Sequence, residues 1–191
     1  MLNLYKLIEI LVSLQSLVIT TMIPVYIPLP FIDKSSNSFE IPITWQIPTI
    51  ILLTLIFNKK VIFTAFSIYI ILGLFISPVF HQGGSLGYLL TPNFGYLLGM
   101  YPLIKIIDNL NSRIKINIGN FLINGSIAIG AMHLTGILYN FIQIIFYGDL
   151  NIILYNLGKY SVGKIGYHFL MLLPLSLLIK PIKLLKKVNN D

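Results

Sequence analysis

Charge is kept out of long stretches of this chain. No charged residue occurs between Glu9 and Asp33, between Lys60 and Lys105, or between Lys115 and Asp149. A soluble domain carries about 25% charged residues, whereas only 10% are charged here and 56% are hydrophobic. So few charges cannot cover an aqueous surface, so most of the exterior must face a lipid bilayer. In lipid, backbone polar groups find partners only within helices or closed barrels, and the length of the apolar runs selects helices. The 191 residues allow a single domain, residues 1–191. The absence of cysteine excludes disulfides and thiolate metal sites.

Six apolar runs are expected to form six transmembrane helices: about Leu7 to Ile27, Trp45 to Phe57, Val61 to Ile76, Phe94 to Ile107, Ile116 to Phe146 and Gly166 to Ile182. The net charge of +7 does not indicate nucleic acid, because the lysines cluster in short breaks between these runs. Lys6, "NKK" at 58–60, "DNLNSRIK" at 108–115 and "KPIKLLKK" after the sixth run mark the cytoplasmic side by the positive-inside rule. Both termini are then cytoplasmic, and "DKSSNSFE", "SPVFHQGG" and "YGDLNIILYNLGKYSVGK" become outer loops. Lys159 and Lys164 in the third of these run against the rule. No cleavable signal peptide is expected, since the first run lacks a small-residue cleavage site.

One segment breaks the apolar pattern. "HQGGSLGYLLTPNFGYLLG" at 81–99 combines glycines with histidine, asparagine and two tyrosines. Gly83, Gly84 and Gly87 permit bent backbone, and Pro92 suits the first turn of a helix beginning near Asn93. Tyr88 and Tyr96 offer flat rings with a hydrogen-bonding tip. From the residues alone, two readings stand: a glycine-rich connector with interfacial tyrosines, or irregular backbone lining a cavity.

The segment "PNFGYLLGM" resembles the P-T-F-G-Y-L-I-G-F motif of the BioY family, the biotin-specific S components of energy-coupling factor (ECF) transporters. The preceding "SPVFHQGG", the earlier Pro28-Leu29-Pro30-Phe31 and Pro42-Ile43-Thr44-Trp45-Gln46 are similar to family elements in the same order. The resemblance implies an S-component bundle that binds biotin, or a related vitamin, at the outer face. An ECF coupling subunit and ABC-type ATPases would drive uptake. It implies substrate-binding roles for Gln46, Gly83, Gly84, Tyr88, Asn93 and Tyr96. In the last helix, Ser176 falls near the position of the family's acid, and Lys180 falls one residue later than the family's lysine. Lys180 or Lys164 would meet a carboxylate. The polar stretch "FIDKSSNSFEIP" would lid the site. Ser13, Ser16 and Thr20 would form the small-residue face that docks on the coupling subunit. A bacterial plasma membrane, or a plastid membrane for an organelle-encoded chain, is the implied location.

Other chemistries lack their residues. No G-x-x-x-x-G-K-[ST] loop is present, so ATP would be used only by partner subunits and the chain would bind no cofactor of its own. Of the six acidic residues, Asp108 and Asp149 fall on opposite faces in this topology, which leaves no carboxylate pair for an intramembrane aspartyl hydrolase. No G-x-S-x-G motif is present, and no catalytic residues are expected. His81, His133 and His168 do not have metal-ligand spacing. His133, mid-span, is expected to bond between helices, and for His168, at the start of the sixth run, a place facing the outer cavity and a structural role stand equally. Ser126 and Gly130 form a small-xxx-small pair expected to pack internally. A vitamin other than biotin, or a purely structural membrane subunit, are the remaining alternatives.

Overall fold

The structure, a computed structural model, describes residues 4–28, 38–81, 83–113 and 117–182. It is a helical bundle with one small β-hairpin. The helices are α1 (Leu4–Met22), α2 (Gln46–Ile56), α3 (Lys59–Phe75), α4 (Pro92–Leu98), α5 (Met100–Arg113), α6 (Ile118–Tyr147), α7 (Leu150–Leu157) and α8 (Gly163–Leu177). Strands β1 (Pro24–Pro28) and β2 (Ser38–Thr44) pair antiparallel, with Val25 opposite Ile41 and a bulge at Pro24/Val25. Leu4–Met22 and Ile118–Gln143 are long and apolar enough to cross a membrane. At about 1.5 Å per residue α6 is about 45 Å long, well beyond the roughly 30 Å hydrocarbon core.

The bundle buries one continuous core. Leu17, Ile50, Ile62, Phe66, Leu103, Ile104, Ile107, Phe121 and Ile129 are wholly enclosed in it. Outside it, large apolar side chains stand exposed: Leu7, Leu11 and Ile19 on α1, Ile127, Leu134 and Leu138 on α6, Leu170 and Leu173 on α8. A belt of this extent is stable only where hydrocarbon covers it.

Four sequence expectations are corrected here. The first helix stops at Met22, because Pro24 begins a strand. A proline has no N–H to donate to a preceding turn, and the β-branched Val25, Ile41 and Ile43 suit a pleat. The expected fourth span is two helices with a break at Gly99, since Pro102 cannot donate to the carbonyl four residues back. The expected outer loop after α6 is largely helical. Asp149 caps α7 by accepting from the Asn151 N–H at 2.8 Å, and a π turn over Gly158–Val162 leads without interruption into α8. Ser126 and Gly130 are only half-buried, and the space beside Gly130 is open. Close helix contact occurs instead through Gly95, where a Cβ would stand 2.4 Å from Tyr139, and Gly99, where it would stand 2.5 Å from the Met132 carbonyl.

Charge marks one end of the bundle. Lys59, which starts α3, pairs with Asp108 of α5 at 3.1 Å. The "NKK" and "DNL" breaks therefore share one end, as the charge pattern required. The tail "KLLKK" and most of the expected lid "FIDKSSNSFEIP" lie outside the described residues.

A candidate ligand cavity at one end of the bundle

At the opposite end, the hairpin, the segment after α3 and the π turn enclose a cavity of about 340 Å³. The hairpin contributes Pro24, Ile41, Ile43 and Thr44 to its wall. It is held by a satellite apolar cluster in which Val25, Ile41 and Ile43 pack on Tyr167 and Met171 of α8. Gln46 and Ile47 enter from the first turn of α2, Tyr69 from α3, Asn93, Tyr96 and Leu97 from α4, and Met132 from α6. Of the residues expected at the site, the structure thus brings Gln46, Tyr88, Asn93 and Tyr96 together around one space.

Gly83 and Gly84 shape the wall without facing the cavity. Phe80 and Gly83 exchange backbone hydrogen bonds at 2.9 and 3.1 Å, which closes a tight turn. Gly83 holds φ +130°, a region that a side chain would strain. A Cβ on Gly84 would stand 2.6 Å from the Gly73 carbonyl and from Pro78 Cα. Neither glycine lines the cavity; both fold the loop so that Phe80 and Tyr88 do. Tyr88 sits on a 3₁₀ turn (Leu86–Leu90), 4.7 Å ring to ring from Phe80. Burial, with the nearby Tyr69 and Tyr160 phenols, pushes its phenol pKa up. The hydroxyl therefore stays protonated and donates to the His81 carbonyl at 3.2 Å. Two α6 side chains hold the end of this turn: Tyr139 donates to the Leu89 carbonyl, and Gln143 Nε2 donates to the Leu90 carbonyl at 3.0 Å.

Of the third wall, the sequence reading named Lys164 and His168 as site candidates but neither Lys159 nor Tyr160. The π turn and the start of α8 place Lys159, Tyr160, Lys164 and His168 around the cavity. Both ammonium groups lie 5.3 Å from the centre of the Tyr160 ring, one through Lys159 and one through Lys164. Behind His168 runs a buried chain. His168 Nδ1 is 2.9 Å from His133 Nε2, and His133 Nδ1 is 3.0 Å from Ser161 Oγ. His133 thus bonds between helices, and His168 forms part of the cavity wall. Among the described lining residues two are lysines and none is a carboxylate. The signal available in sequence was the pair of lysines that broke the positive-inside pattern.

Ser176 and Lys180 lie elsewhere. Ser176 is buried and donates to the Leu173 carbonyl at 2.6 Å within α8. Lys180 is exposed, sixteen residues beyond Lys164 and therefore roughly 24 Å further along the helix direction. On α1, Ser13 is fully buried and donates to the Glu9 carbonyl at 2.7 Å. It belongs to the inward face with Ile10, Leu17 and Thr21, which removes it from a surface docking row. Ser16 and Thr20 remain half-covered, each hydroxyl bonded to its own helix. Among the described residues no group of histidines and acids is placed to hold a metal ion.

A lipid-belted helical bundle with a largely apolar cavity that carries a few polar side chains has the build of a membrane protein that holds a small ligand. Comparison with known proteins makes this specific. The chain matches the BioY family over residues 2–173 and belongs to that family. It is an integral membrane protein. A protein from Lysinibacillus sphaericus described as a probable biotin transporter BioY is 34% identical over 89 residues, which are 47% of this chain and 41% of that protein. The alignment thus spans less than half of that relative. The fold is similar to the crystal structure of an S component for biotin from an ECF-type ABC transporter. The TM-score is 0.59 at 18% identity, covering 94% of this chain and 95% of the other.

Proposed function

We propose that this chain is the substrate-capture S component of an ECF-type transporter. In this reading it holds biotin in the cavity at the outer face of a bacterial plasma membrane, and a coupling subunit and ABC-type ATPases drive uptake. The observation that carries the reading is the cavity itself. Its size falls within the range of about 300–1,000 Å³ typical of small-molecule sites. Its lining holds both cationic and neutral amide side chains, which suits a molecule with a neutral hydrogen-bonding ring and an anionic tail. Lys159 and Lys164, with no acid among the lining residues, favour a carboxylate. Gln46 and Asn93 supply amides for a ureido ring, and Ile41, Ile43, Leu97, Met100 and Met132 supply apolar wall. Lys164 replaces Lys180 as the residue proposed to meet the carboxylate, because only Lys164 reaches the cavity. Gly83 and Gly84 act by folding the loop that carries Tyr88. The orientation rests on charge: the Lys59–Asp108 end carries the short lysine-rich breaks and would face the cytoplasm, which puts the cavity outside.

The test is thermal stability of the purified protein in lipid nanodiscs, titrated with biotin and with other vitamins. A ligand that binds only the folded state must raise the unfolding temperature. Saturable stabilisation by micromolar biotin is the expected result. Stabilisation by a different vitamin alone would leave the S-component class and change the ligand. That second reading draws on one feature: Ser176, near the position of the family's acid, is turned away from the cavity.

A further inference from the structure

Thr21 on α1, Tyr69 on α3 and Gln46 at the start of α2 form a hydrogen-bonded group against the cavity wall, and its protons can be counted. Thr21 Oγ1 donates its single proton to the Leu17 carbonyl at 2.7 Å. While that proton is on the Leu17 carbonyl, the shorter of its two contacts, Thr21 turns lone pairs toward Tyr69 Oη, 3.0 Å away. The Val79 carbonyl, 3.3 Å from the same phenol, is also an acceptor. Tyr69 has one proton for these two neighbours and none to spare. The contact between Tyr69 Oη and Gln46, at 3.1 Å, therefore takes its hydrogen from Gln46 Nε2. The opposite amide orientation would set a third acceptor against one proton. Gln46 Nε2 is thus committed to the protein, and Oε1 is the end of the amide turned away from Tyr69, on a residue that lines the cavity.

We propose that Tyr69, backed by Thr21, is a positioning residue that locks the Gln46 amide with its oxygen toward the ligand. The site then demands an N–H donor there, such as that of a cyclic urea or a lactam. A ligand that presents an ether or carbonyl oxygen at this point meets lone pair against lone pair and is refused. This rests on the reading of the cavity as the vitamin site, and it adds the selectivity that site would have.

Tyr69→Phe tests it. The variant keeps the ring, which packs edge-on to Phe80 at 5.3 Å and stacks with Phe66 at 6.0 Å, and removes only the hydroxyl. Two measurements on the full chain in lipid nanodiscs separate this proposal from the function it builds on. The first needs no ligand: hydrogen exchange of the Gln46 side-chain NH₂ by NMR. Exchange at least about tenfold slower in the parent than in Tyr69→Phe is expected for a bonded, buried amine; equal rates overturn the proposal. The second compares biotin with biotin methylated at its ureido nitrogens. The variant should bind biotin about tenfold more weakly while its affinity for the methylated analogues hardly changes, so that discrimination falls. An equal loss for both ligands, or no loss for either, overturns the proposal by reducing Tyr69 to a packing residue. Should the parent bind no biotin at all, the ligand assignment fails, and the exchange rates alone decide the Gln46 orientation. Thr21→Val, which leaves the Tyr69 phenol in place, should shift both readouts in the same direction by less; if Tyr69→Phe does not fold, an unshifted Thr21→Val overturns the proposal.

Discussion

The two ends of the bundle are built by different means. At the Lys59–Asp108 end α3 begins cleanly, with Asn58 accepting from the Lys60 N–H at 3.0 Å. At the cavity end the helices are joined by irregular backbone: a hairpin, a tight turn with positive φ, a 3₁₀ turn and a π turn meet there. Non-helical backbone at membrane depth is tolerated only where protein buries it or it lines a cavity. The contrast teaches that irregularity in this chain follows function. One end joins helices, and the other gathers side chains from many separate segments around one space.

The largest effect should come from the glycines that let α4 approach α6. Gly95→Val would force a side chain into Tyr139, and a loss of about 3 kcal/mol, read as a large fall in unfolding temperature, is expected. Gly130→Ala on the same α6 helix meets open space and should be neutral or stabilising by up to about 1 kcal/mol. Next comes the comparison of two lysines near opposite ends of the last helical segment. Lys164→Met should weaken biotin binding by ten- to a hundredfold, the loss of a charge-assisted contact, while Lys180→Met leaves the titration unchanged. Equal effects from the two would erase the distinction between the ends. Ser176→Ala should cost about 1 kcal/mol of stability, from its bond to the Leu173 carbonyl, without touching affinity. Smallest is Asp108→Asn. Its pair with the partly exposed Lys59 should be worth under about 1 kcal/mol, and biotin affinity should not move.

Much of this contrast could be read in the sequence. Apolar runs place α2, α3 and α6 within a few residues, because hydrophobicity along a spanning helix is a strong and local signal. Pro92 gives the start of α4 for the same local reason. The hairpin was not legible: Pro24–Pro28 is as apolar as the helix before it, and its pairing with Ser38–Thr44 is a long-range property. Gln46, Tyr88, Asn93 and Tyr96 were accessible through the family-like segments that carry them. Lys159 and Tyr160 were not, since their approach to the cavity depends on a turn that looks like a polar loop in composition. Ser176 and Lys180 were taken by linear correspondence with the last helix, and a correspondence in sequence does not ensure the same facing.

That turn has a consequence for how this chain compares with others. From Gly158 to Val162 the backbone winds wider than an α-helix, and the Gly163 N–H reaches back five residues to the Gly158 carbonyl. One residue fewer there would rotate everything downstream by about 100°. Lys164 and His168 would then point along a different azimuth, and Ile165 or Phe169 would inherit their places. Segment length, more than residue type, therefore sets the phase of the final helix, and a gap misplaced by a single position would pair the wrong side chains of this chain with those of its relatives.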